Sequence, residues 1–222
     1  MRGLTLIDIK SGVSKHTHDN WGLIMSSKVI GNPTPRIHKV PMTDRDGDLD
    51  QTEAIRGRVS YENRSLSFSF ICTAHQSTWA DLREEISGFA HGKLLKIVDP
   101  DTPNHYYIGR CTLGDPSYVG AAIMFLTIEV DAYPYRLSLS ETVITKSVST
   151  GSALDLPNSV MPVVPTITVS ADIAIAFGSF STSLASGSIY QIPEITLENG
   201  TNTIQVTAGS GTITFTYRQG AI

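Results

Sequence analysis

The sequence predicts a mainly β protein with two domains. The N-terminal domain is predicted to be α+β, an antiparallel β-sandwich with one helix, and the C-terminal domain to be a second β-sandwich. Apolar residues recur at helical spacing in one stretch, residues 77–92, whereas several other stretches alternate apolar with polar residues as strands do. The composition also changes near Pro134, because all six His, both Trp and both Cys lie within residues 1–137. We therefore expect domains at residues 1–137 and 138–222.

The predicted helix covers about residues 78–91. Its apolar side chains fall on a single stripe, which indicates that one face is buried: Trp79, Leu82, Ile86, Phe89 and Ala90. Ser77 or Thr78 is expected to cap the N-terminus of the helix with its hydroxyl oxygen. Gly92 is expected to close the helix in the left-handed conformation and to lead into a strand.

The strands of the first domain are predicted to form hairpins and a closing strand. In residues 65–72 serine alternates with apolar residues, a pattern typical of a strand that is buried on one face. Residues 56–61 are expected to pair with this strand, and residues 93–98 with 105–113. The other predicted elements are strands at 4–9, 22–30 and 121–130, an edge strand between prolines at 36–40, a polar loop with His16, His18 and Asp19, and an acidic turn at 44–50.

The second domain is predicted to contain only strands. Six segments carry the strand pattern, and tight turns follow two of them: strands at 166–171, 173–177, 189–192, 195–197, 203–207 and 212–217, and turns at 198–202 and 208–211. Residues 138–165 are rich in Ser, Thr, Gly and Pro, so they are either a linker or the first short strands, and we favour strands. Six or more short strands predict a sandwich.

Composition argues against several classes of protein. With 17 Lys and Arg against 21 Asp and Glu, the formal net charge is -4, so no basic footprint for nucleic acid is present. The sequence has no run of about 18 apolar residues to span a membrane. Asp8 and Lys10 interrupt the N-terminal apolar run that a signal peptide needs. Cys72 and Cys111 are predicted to be buried free thiols, because two cysteines provide neither a disulfide framework nor metal-ligand spacing.

No constellation of residues predicts catalysis, a cofactor or a metal site. His16 and His18 would share one face of a strand, but no third ligand cluster accompanies them, so we interpret them as solvated. The acidic segment 44–53 resembles part of a calcium loop, yet neither flank has a helical pattern, which favours a hairpin turn. Glu84 and Glu85 are adjacent on the helix and point in different directions, so they are interpreted as a solvated face. We therefore assign no catalytic, cofactor-binding or metal residue.

Several stretches, taken in their order along the chain, resemble the distal tail proteins of long-tailed, non-contractile bacteriophages. The resemblance covers nearly the whole chain and depends on the order of turns, hairpins and helix together. In the first domain it rests on Asp46-Gly-Asp48 ahead of Arg56-Gly-Arg58, the helix that ends before Gly92, the strands at 93–98 and 106–110, and Asp131-Ala-Tyr-Pro-Tyr-Arg136. In the second domain it rests on residues 195–204 and 211–218.

The resemblance implies a structural role and no enzymatic activity. It implies that the N-terminal domain forms a homo-hexameric ring and that the C-terminal domain is a galectin-like sandwich on the outside of the ring. The implied partners are the tail tube, tape-measure and tail-tip proteins, in a virion or prophage-derived tail that is assembled in the cytoplasm of the bacterial host. A ring that lets DNA leave should bind phosphates weakly, which a net charge of -4 with intermixed signs suits.

A carbohydrate-binding sandwich is the alternative function. Lectin sites usually stack a sugar ring on an exposed aromatic side chain, often Trp. The second domain has no Trp, and its aromatic residues are Phe177, Phe180, Tyr190, Phe215 and Tyr217. Phe215 alternates with threonines as a core residue does, whereas Tyr217 either packs or faces solvent. We therefore expect this domain to present a surface for neighbouring tail proteins instead of a glycan site.

Overall fold

The computed structural model describes residues 3–44 and 46–222. The first two residues of the N-terminal segment and Arg45 of the predicted acidic turn lie outside the described residues. The chain divides into two compact units, Met1–Pro134 and Tyr135–Ile222, which we call unit 1 and unit 2. Both units consist mainly of antiparallel strands, which confirms the predicted mainly β fold class.

Unit 1 contains a large antiparallel sheet, two helices and a separate two-stranded ribbon. Its elements are β1 (Thr5–Asp8), β2 (Ser14–His16), α1 (Thr17–Trp21), β3 (Ile24–Ile30), β4 (Lys39–Val40), β5 (Leu49–Asp50), β6 (Arg64–Cys72), α2 (Trp79–Ala90), β7 (Leu94–Val98), β8 (His105–Leu113), β9 (Ser117–Val119) and β10 (Ile123–Ala132). The large sheet has the strand order β2-β1-β7-β8-β10-β6-β3, with β9 added beside β10. The ribbon pairs β4 with β5.

The core of unit 1 lies between the large sheet and α2. Alternate residues of β6 point inward and are fully buried: Leu66, Phe68, Phe70 and Cys72. The predicted stripe of α2 is confirmed, because Trp79, Ile86 and Ala90 are buried while Leu82 and Phe89 pack partly buried against the same core. Each large apolar side chain that is buried in this way contributes about 1.5–3 kcal/mol.

The large sheet folds over on itself. Lys28 lies on β3, at one edge of the sheet, and its Nζ is 2.6 Å from Oδ2 of Asp99, the residue after β7. In a flat sheet of this order the two strands would be four spacings apart, roughly 19 Å, which is farther than a lysine side chain extends. The sheet therefore curls until β3 approaches the end of β7, and it encloses the core as a sandwich does.

The predicted strand at residues 56–61 is wrong. Gly57 takes the left-handed conformation (φ 65°) at the end of a run of turns, which breaks the extended backbone. The strand β6, expected to pair with it, pairs instead with β3 and β10. The edge strand expected at residues 36–40 is shorter than predicted and consists of β4 alone.

The two ends of α2 differ in how well they follow the sequence pattern. Neither Ser77 nor Thr78 caps the helix with its side chain, so this prediction is wrong. A 3-10 turn at Gln76–Thr78 precedes the helix instead, and Nδ1 of His75 accepts the Ser77 N–H at 3.3 Å. Gly92 has a φ of 72°, which confirms the predicted left-handed closure. Across the part of the chain that the structure describes, no helix has the length and apolar character needed to cross a membrane.

Unit 2 is a sandwich of two four-stranded antiparallel sheets. Its strands are β11 (Arg136–Ser138), β12 (Thr142–Ser149), β13 (Ala153–Asn158), β14 (Thr166–Val169), β15 (Ile173–Phe177), β16 (Phe180–Leu184), β17 (Ile189–Gln191), β18 (Gly200–Ala208), β19 (Ser210–Tyr217) and β20 (Gly220–Ala221). The sheet orders are β12-β19-β14-β17 and β13-β18-β15-β16, and their inward residues share one core. The presence of β12 and β13 confirms that residues 138–165 begin the strands of the sandwich.

Two local predictions for unit 2 need correction. Residues 195–197 form no strand, because Pro193 and Glu194 make a turn in which the Ile195 N–H donates to the Ile192 carbonyl, and only Leu197 forms a bridge. The strand β16 was not predicted, although it pairs with β15 through a two-residue turn. That turn begins at Gly178 with a φ of 58°, and a glycine-serine pair between two apolar residues is a recognisable hairpin signal.

Candidate interaction surfaces

His16 and His18 lie at the short helix α1 and stabilise its start. Nδ1 of His16 accepts the backbone N–H of Asp19 at 3.3 Å and caps the helix, so the polar loop predicted here is wrong. Nδ1 of His18 lies 3.0 Å from Oδ1 of Asp19, and this hydrogen bond lowers the pKa of the Asp19 carboxyl. In the ranges 3–44 and 46–222, no group of three or more His, Cys, Asp or Glu side chains is placed to hold a metal ion.

The acidic segment connects two strands and not two helices. Strand β4 precedes it and β5 lies within it, and the two strands pair with Lys39 opposite Asp50, which confirms a hairpin turn. Hydrogen bonds from the Thr52 hydroxyl and backbone N–H lower the pKa of the Asp50 carboxyl. The Asp50 carboxylate therefore stays charged near neutral pH and adds to the negative charge of the turn.

The outward face of α2 also contacts other elements of unit 1. Oε1 of Glu85 accepts the indole N–H of Trp21 at 3.0 Å and lies 3.4 Å from Nζ of Lys15. Because Trp21 is buried, its N–H needs a partner within the protein. Glu85 is solvated as interpreted, since its side chain is 51% exposed, and it also joins α1 and β2 to α2 through these two contacts. Its neighbour Glu84 is exposed.

The two cysteines are structural residues of unit 1. Cys72 and Cys111 are both buried and free, which confirms the prediction. Burial raises the pKa of the Cys111 thiol to about 12. Because the thiolate is the nucleophilic form, Cys111 is inert at neutral pH.

The aromatic residues of unit 2 belong mainly to its core. Phe215 is fully buried, as predicted, and Tyr217 packs inward, with its hydroxyl donating to a backbone carbonyl at 2.5 Å. Phe177 and Phe180 are partly buried against the same core. Tyr190 is also partly buried, and its hydroxyl oxygen accepts a backbone N–H at 2.7 Å. Phe215 and Tyr217 are buried, and the other three rings pack partly against the core, which limits the open face that stacking on a sugar requires.

Residues 32–63, which we call the arm, leave the large sheet after β3 and return at β6. Among the described residues of the arm, none belongs to the buried apolar core of unit 1. Ile37 and Ile55 are 60% and 95% exposed, and Met42 is also exposed. A two-stranded ribbon such as β4 and β5 is only marginally stable by itself. The arm therefore presents apolar side chains that are available to a partner.

Arg64 fixes both ends of the arm. It is buried, and its Nε donates to the carbonyl oxygen of Gly31 at 2.8 Å while its Nη1 donates to that of Pro134 at 3.2 Å. Its guanidinium carbon lies 5.4 Å from the centre of the Tyr107 ring. Gly31 packs so closely that an added Cβ would lie 2.8 Å from the carbonyl oxygen of Ser65. The arm thus extends from a rigid base.

A groove of about 470 Å³ opens where the turn after β1 meets β7 and β8. Its lining combines cationic, apolar and acidic residues: Asp8, Ile9, Lys10, Gly92, Lys93, Leu94 and Arg110. Ile9 and Leu94 are 40% and 44% exposed and form an apolar floor. Such a lining suits a peptide that carries both aliphatic and acidic side chains.

Comparison with known proteins finds a structural likeness over the whole chain. No family model matches, and no curated protein matches the sequence. A solved structure does match: the Dit protein (gp 19.1) of SPP1, described as a paradigm of the hub adsorption apparatus in phages that infect Gram-positive bacteria. The two share 18% sequence identity over 97% of this chain and 98% of that chain, with a TM-score of 0.63. The chain has the Dit fold. This confirms the fold that the resemblance to distal tail proteins implies.

Within this Dit fold, the arm and the groove are the surfaces that sequence patterns missed. The arm had a signal, because Ile37 lies in the predicted edge strand between prolines and Ile55 stands outside every predicted strand and helix. The groove had none, since its lining comes from three separate parts of the chain. Only the pairing of β1 with β7 and of β7 with β8 brings them together.

Proposed function

We propose that this protein is a structural component of a phage tail, a hexameric ring adaptor that joins the tail tube to the tail-tip, receptor-binding apparatus. The observation that carries the proposal is the likeness to the SPP1 Dit protein over 97% of this chain and 98% of that one. A match that includes both compact units supports the function of a complete Dit protein better than that of either unit alone.

The surface of unit 1 supports self-association. The arm exposes Ile37 and Ile55, one before and one after its β4–β5 ribbon in the sequence, and such side chains favour a protein partner. A ring needs two different surfaces on each copy, used head to tail, so that the rotation closes. An extended arm on a rigid base provides one such surface, and unit 1 is accordingly the part that we assign to the ring.

The proposed partners follow from this position in the tail. The tube and tape-measure proteins contact the ring on one side and the tail-tip protein on the other, and unit 2 is a galectin-like sandwich that offers further surface to them. The protein acts without catalysis, resides in the virion at the tail tip and assembles in the cytoplasm of the host. DNA passes through the ring without tight binding, because charges of both signs are intermixed in unit 1.

The proposal is tested by the assembly state of the full chain. Light scattering coupled to size-exclusion chromatography is expected to give six times the monomer mass, and negative-stain electron microscopy is expected to show rings. The double variant Ile37→Ser, Ile55→Ser should weaken the assembly, because both side chains are exposed and take no part in the core of the monomer. A chain that stays monomeric at every concentration and binds no tail component contradicts the proposal.

The matched control is a pair of exposed aliphatic residues in unit 2. Val143 and Ile189 are 59% and 74% exposed, similar to Ile37. The double variant Val143→Ser, Ile189→Ser removes exposed aliphatic surface from the other unit, somewhat less of it because Ile55 is 95% exposed. It is expected to leave the ring intact, which separates a specific effect of the arm from a general effect of lowered surface hydrophobicity.

A further inference from the structure

The groove of unit 1 carries an excess of positive charge. Lys10, Lys93 and Arg110 line it together with one carboxylate, that of Asp8. The carboxylate is engaged by its own turn, since Oδ1 accepts the Lys10 N–H at 2.9 Å and Oδ2 accepts the Ser11 hydroxyl at 3.0 Å. Three cations against one anion leave the lining with a net positive charge, and a ligand with several carboxylates is therefore favoured.

The cations stand beside the apolar floor. Nη1 of Arg110 donates to the carbonyl oxygen of Gly92 at 2.5 Å, which orients the guanidinium, and within residues 3–44 and 46–222 no second hydrogen bond uses its other N–H donors. Nζ of Lys93 lies 6.0 Å from the centre of the Phe89 ring, so its stem is also held against the protein. A ligand that fills this groove would place aliphatic carbon on Leu94 and carboxylates toward the cations.

The arm carries the complementary chemistry. Residues 44–53 contain five acidic residues and one arginine, a formal charge of -4 within ten residues. Asp46 and Asp48 are exposed in the turn. Met42 lies two positions before the acidic segment. It is 45% exposed and supplies an aliphatic side chain. The acidic turn therefore complements the groove in charge, and Met42 complements the apolar floor of the groove.

Among the described residues 38–44 and 46–57 of the arm, the hydrogen bonds join one part of the arm to another, such as Gln51 N–H to the His38 carbonyl. We infer that the acidic turn of the arm docks into the groove of a second copy of this chain. This inference rests on the proposed ring and names its two contacting surfaces. Because the turn and the groove are different surfaces, the association is head to tail and can close into a ring.

Charge reversal on the full chain tests this pairing. The groove variant is Lys10→Glu, Lys93→Glu, and the turn variant is Asp46→Lys, Asp48→Lys. Each replaces two attractions by two repulsions, so the dissociation constant measured by sedimentation is expected to rise on the order of 30-fold. The variant that combines all four changes restores opposite signs and is expected to return to within about threefold of the wild type. Added salt should weaken the wild-type assembly.

The control reverses two exposed charges in unit 2, Lys146→Glu and Glu194→Lys, and is expected to leave the assembly unchanged. Circular dichroism checks that each variant is folded. Where a reversal disturbs folding, the neutral pair Lys10→Gln, Lys93→Gln replaces it, with a smaller expected rise of about fivefold.

The outcomes separate this inference from the proposed function. Rings that form unchanged in both double variants overturn the inference and leave the ring adaptor standing. Weakening without recovery in the combined variant also overturns the pairing, because the two surfaces then act independently. A wild-type chain that does not self-associate overturns the inference and the proposed ring together.

Discussion

The two units differ in the polar groups that they bury. Unit 1 buries the charged side chains of Arg64 and Asp99, and Asp99 is paired with Lys28. Unit 2 buries two neutral amides, Asn158 and Asn202, whose Nδ2 groups donate to backbone carbonyls. A buried charge that loses its partner costs several kcal/mol, whereas a lost neutral hydrogen bond costs about 1–3 kcal/mol. Unit 1 is therefore expected to depend on a few electrostatic contacts and unit 2 on many weaker ones.

The same contrast extends to the surface. Residues 1–137 contain 15 of the 17 basic and 16 of the 21 acidic residues. The remaining 85 residues therefore contain only two basic and five acidic residues. Charge gives an interface its orientation and its dependence on salt. Recognition that requires a fixed partner geometry is accordingly assigned to unit 1, and unit 2 offers a surface of mainly Ser and Thr.

The largest effect is expected from Lys28→Met, which removes the ammonium group that bridges Asp99 and Asp101. The Asp99 side chain is only 2% exposed, so its charge cannot be solvated instead. We expect the free energy of unfolding of unit 1 to fall by about 3 kcal/mol. Urea unfolding followed by tryptophan fluorescence measures this directly, because both tryptophans lie in unit 1.

The matched control for that variant is Lys15→Met. Lys15 pairs with Glu85 at 3.4 Å, but both side chains are well exposed, so a loss below about 1 kcal/mol is expected. The double variant Lys28→Met, Asp99→Asn should recover part of the loss, since it also removes the unpaired charge. Equal losses for Lys28 and Lys15 would remove the contrast between buried and exposed ion pairs.

An intermediate effect is expected from Asn202→Leu in unit 2. Oδ1 of Asn202 accepts the Glu198 N–H, and Nδ2 donates to the carbonyl oxygens of Leu156 and Glu198. Loss of these three hydrogen bonds should lower the free energy of unfolding of unit 2 by about 2 kcal/mol. Circular dichroism detects the change, and tryptophan fluorescence should not. The exposed neighbour Asn199→Leu serves as a control with little expected effect.

Acid is expected to have a smaller effect on the stability of unit 1. Hydrogen bonds lower the pKa of Asp8 (first from the Lys10 backbone), Asp19 (first from His18) and Asp50 (first from Thr52), all in unit 1. Because the folded pKa lies below the unfolded value of 3.8, each carboxyl stabilises unit 1 above that pH and loses its contribution as the pH falls through the folded pKa.

Unit 2 has the opposite pH response. Burial raises the pKa of Tyr217 above 10.0, which makes folding less favourable only in alkali, when the unfolded chain ionises first. Tryptophan fluorescence reports the melting temperature of unit 1, and circular dichroism is used to follow the melting of unit 2. Between about pH 5 and pH 2, the melting temperature of unit 1 should therefore fall more than that of unit 2. Parallel shifts of both signals would contradict the assignment of acid sensitivity to unit 1.

The smallest effect is expected for glycan binding by unit 2. Its aromatic rings are buried or pack partly against the core, and Tyr190 lines a cavity of about 320 Å³. A glycan array that is probed with the full chain should give no reproducible signal. A signal that disappears in a folded Tyr190→Ala variant would instead establish the carbohydrate-binding alternative, and would place specific recognition in unit 2 as well.

Elements whose signal lies within one short stretch are predictable from the sequence. In β6 the side chains alternate between core and solvent, and in α2 the apolar side chains recur at helical spacing along one face. Strands β8 and β15 occupy the residues predicted for them. Failures occur where local chemistry outweighs a period, as at Gly57, which breaks a predicted strand, and at His75, which caps a 3-10 turn ahead of α2 while α2 itself has no side-chain cap. The candidate surfaces are less predictable, because exposure depends on what packs nearby.

By itself, the sequence determined that this protein is mainly β, that α2 buries one stripe, and that charge is concentrated in residues 1–137. Only the tertiary structure decided which charges meet. Lys28 and Asp99 are 71 residues apart, and Arg64 binds carbonyls 33 and 70 positions away. The physical reason is that antiparallel strands can pair in many orders at similar local energy, so packing of the whole core selects the order. That order then places the arm and assembles the groove.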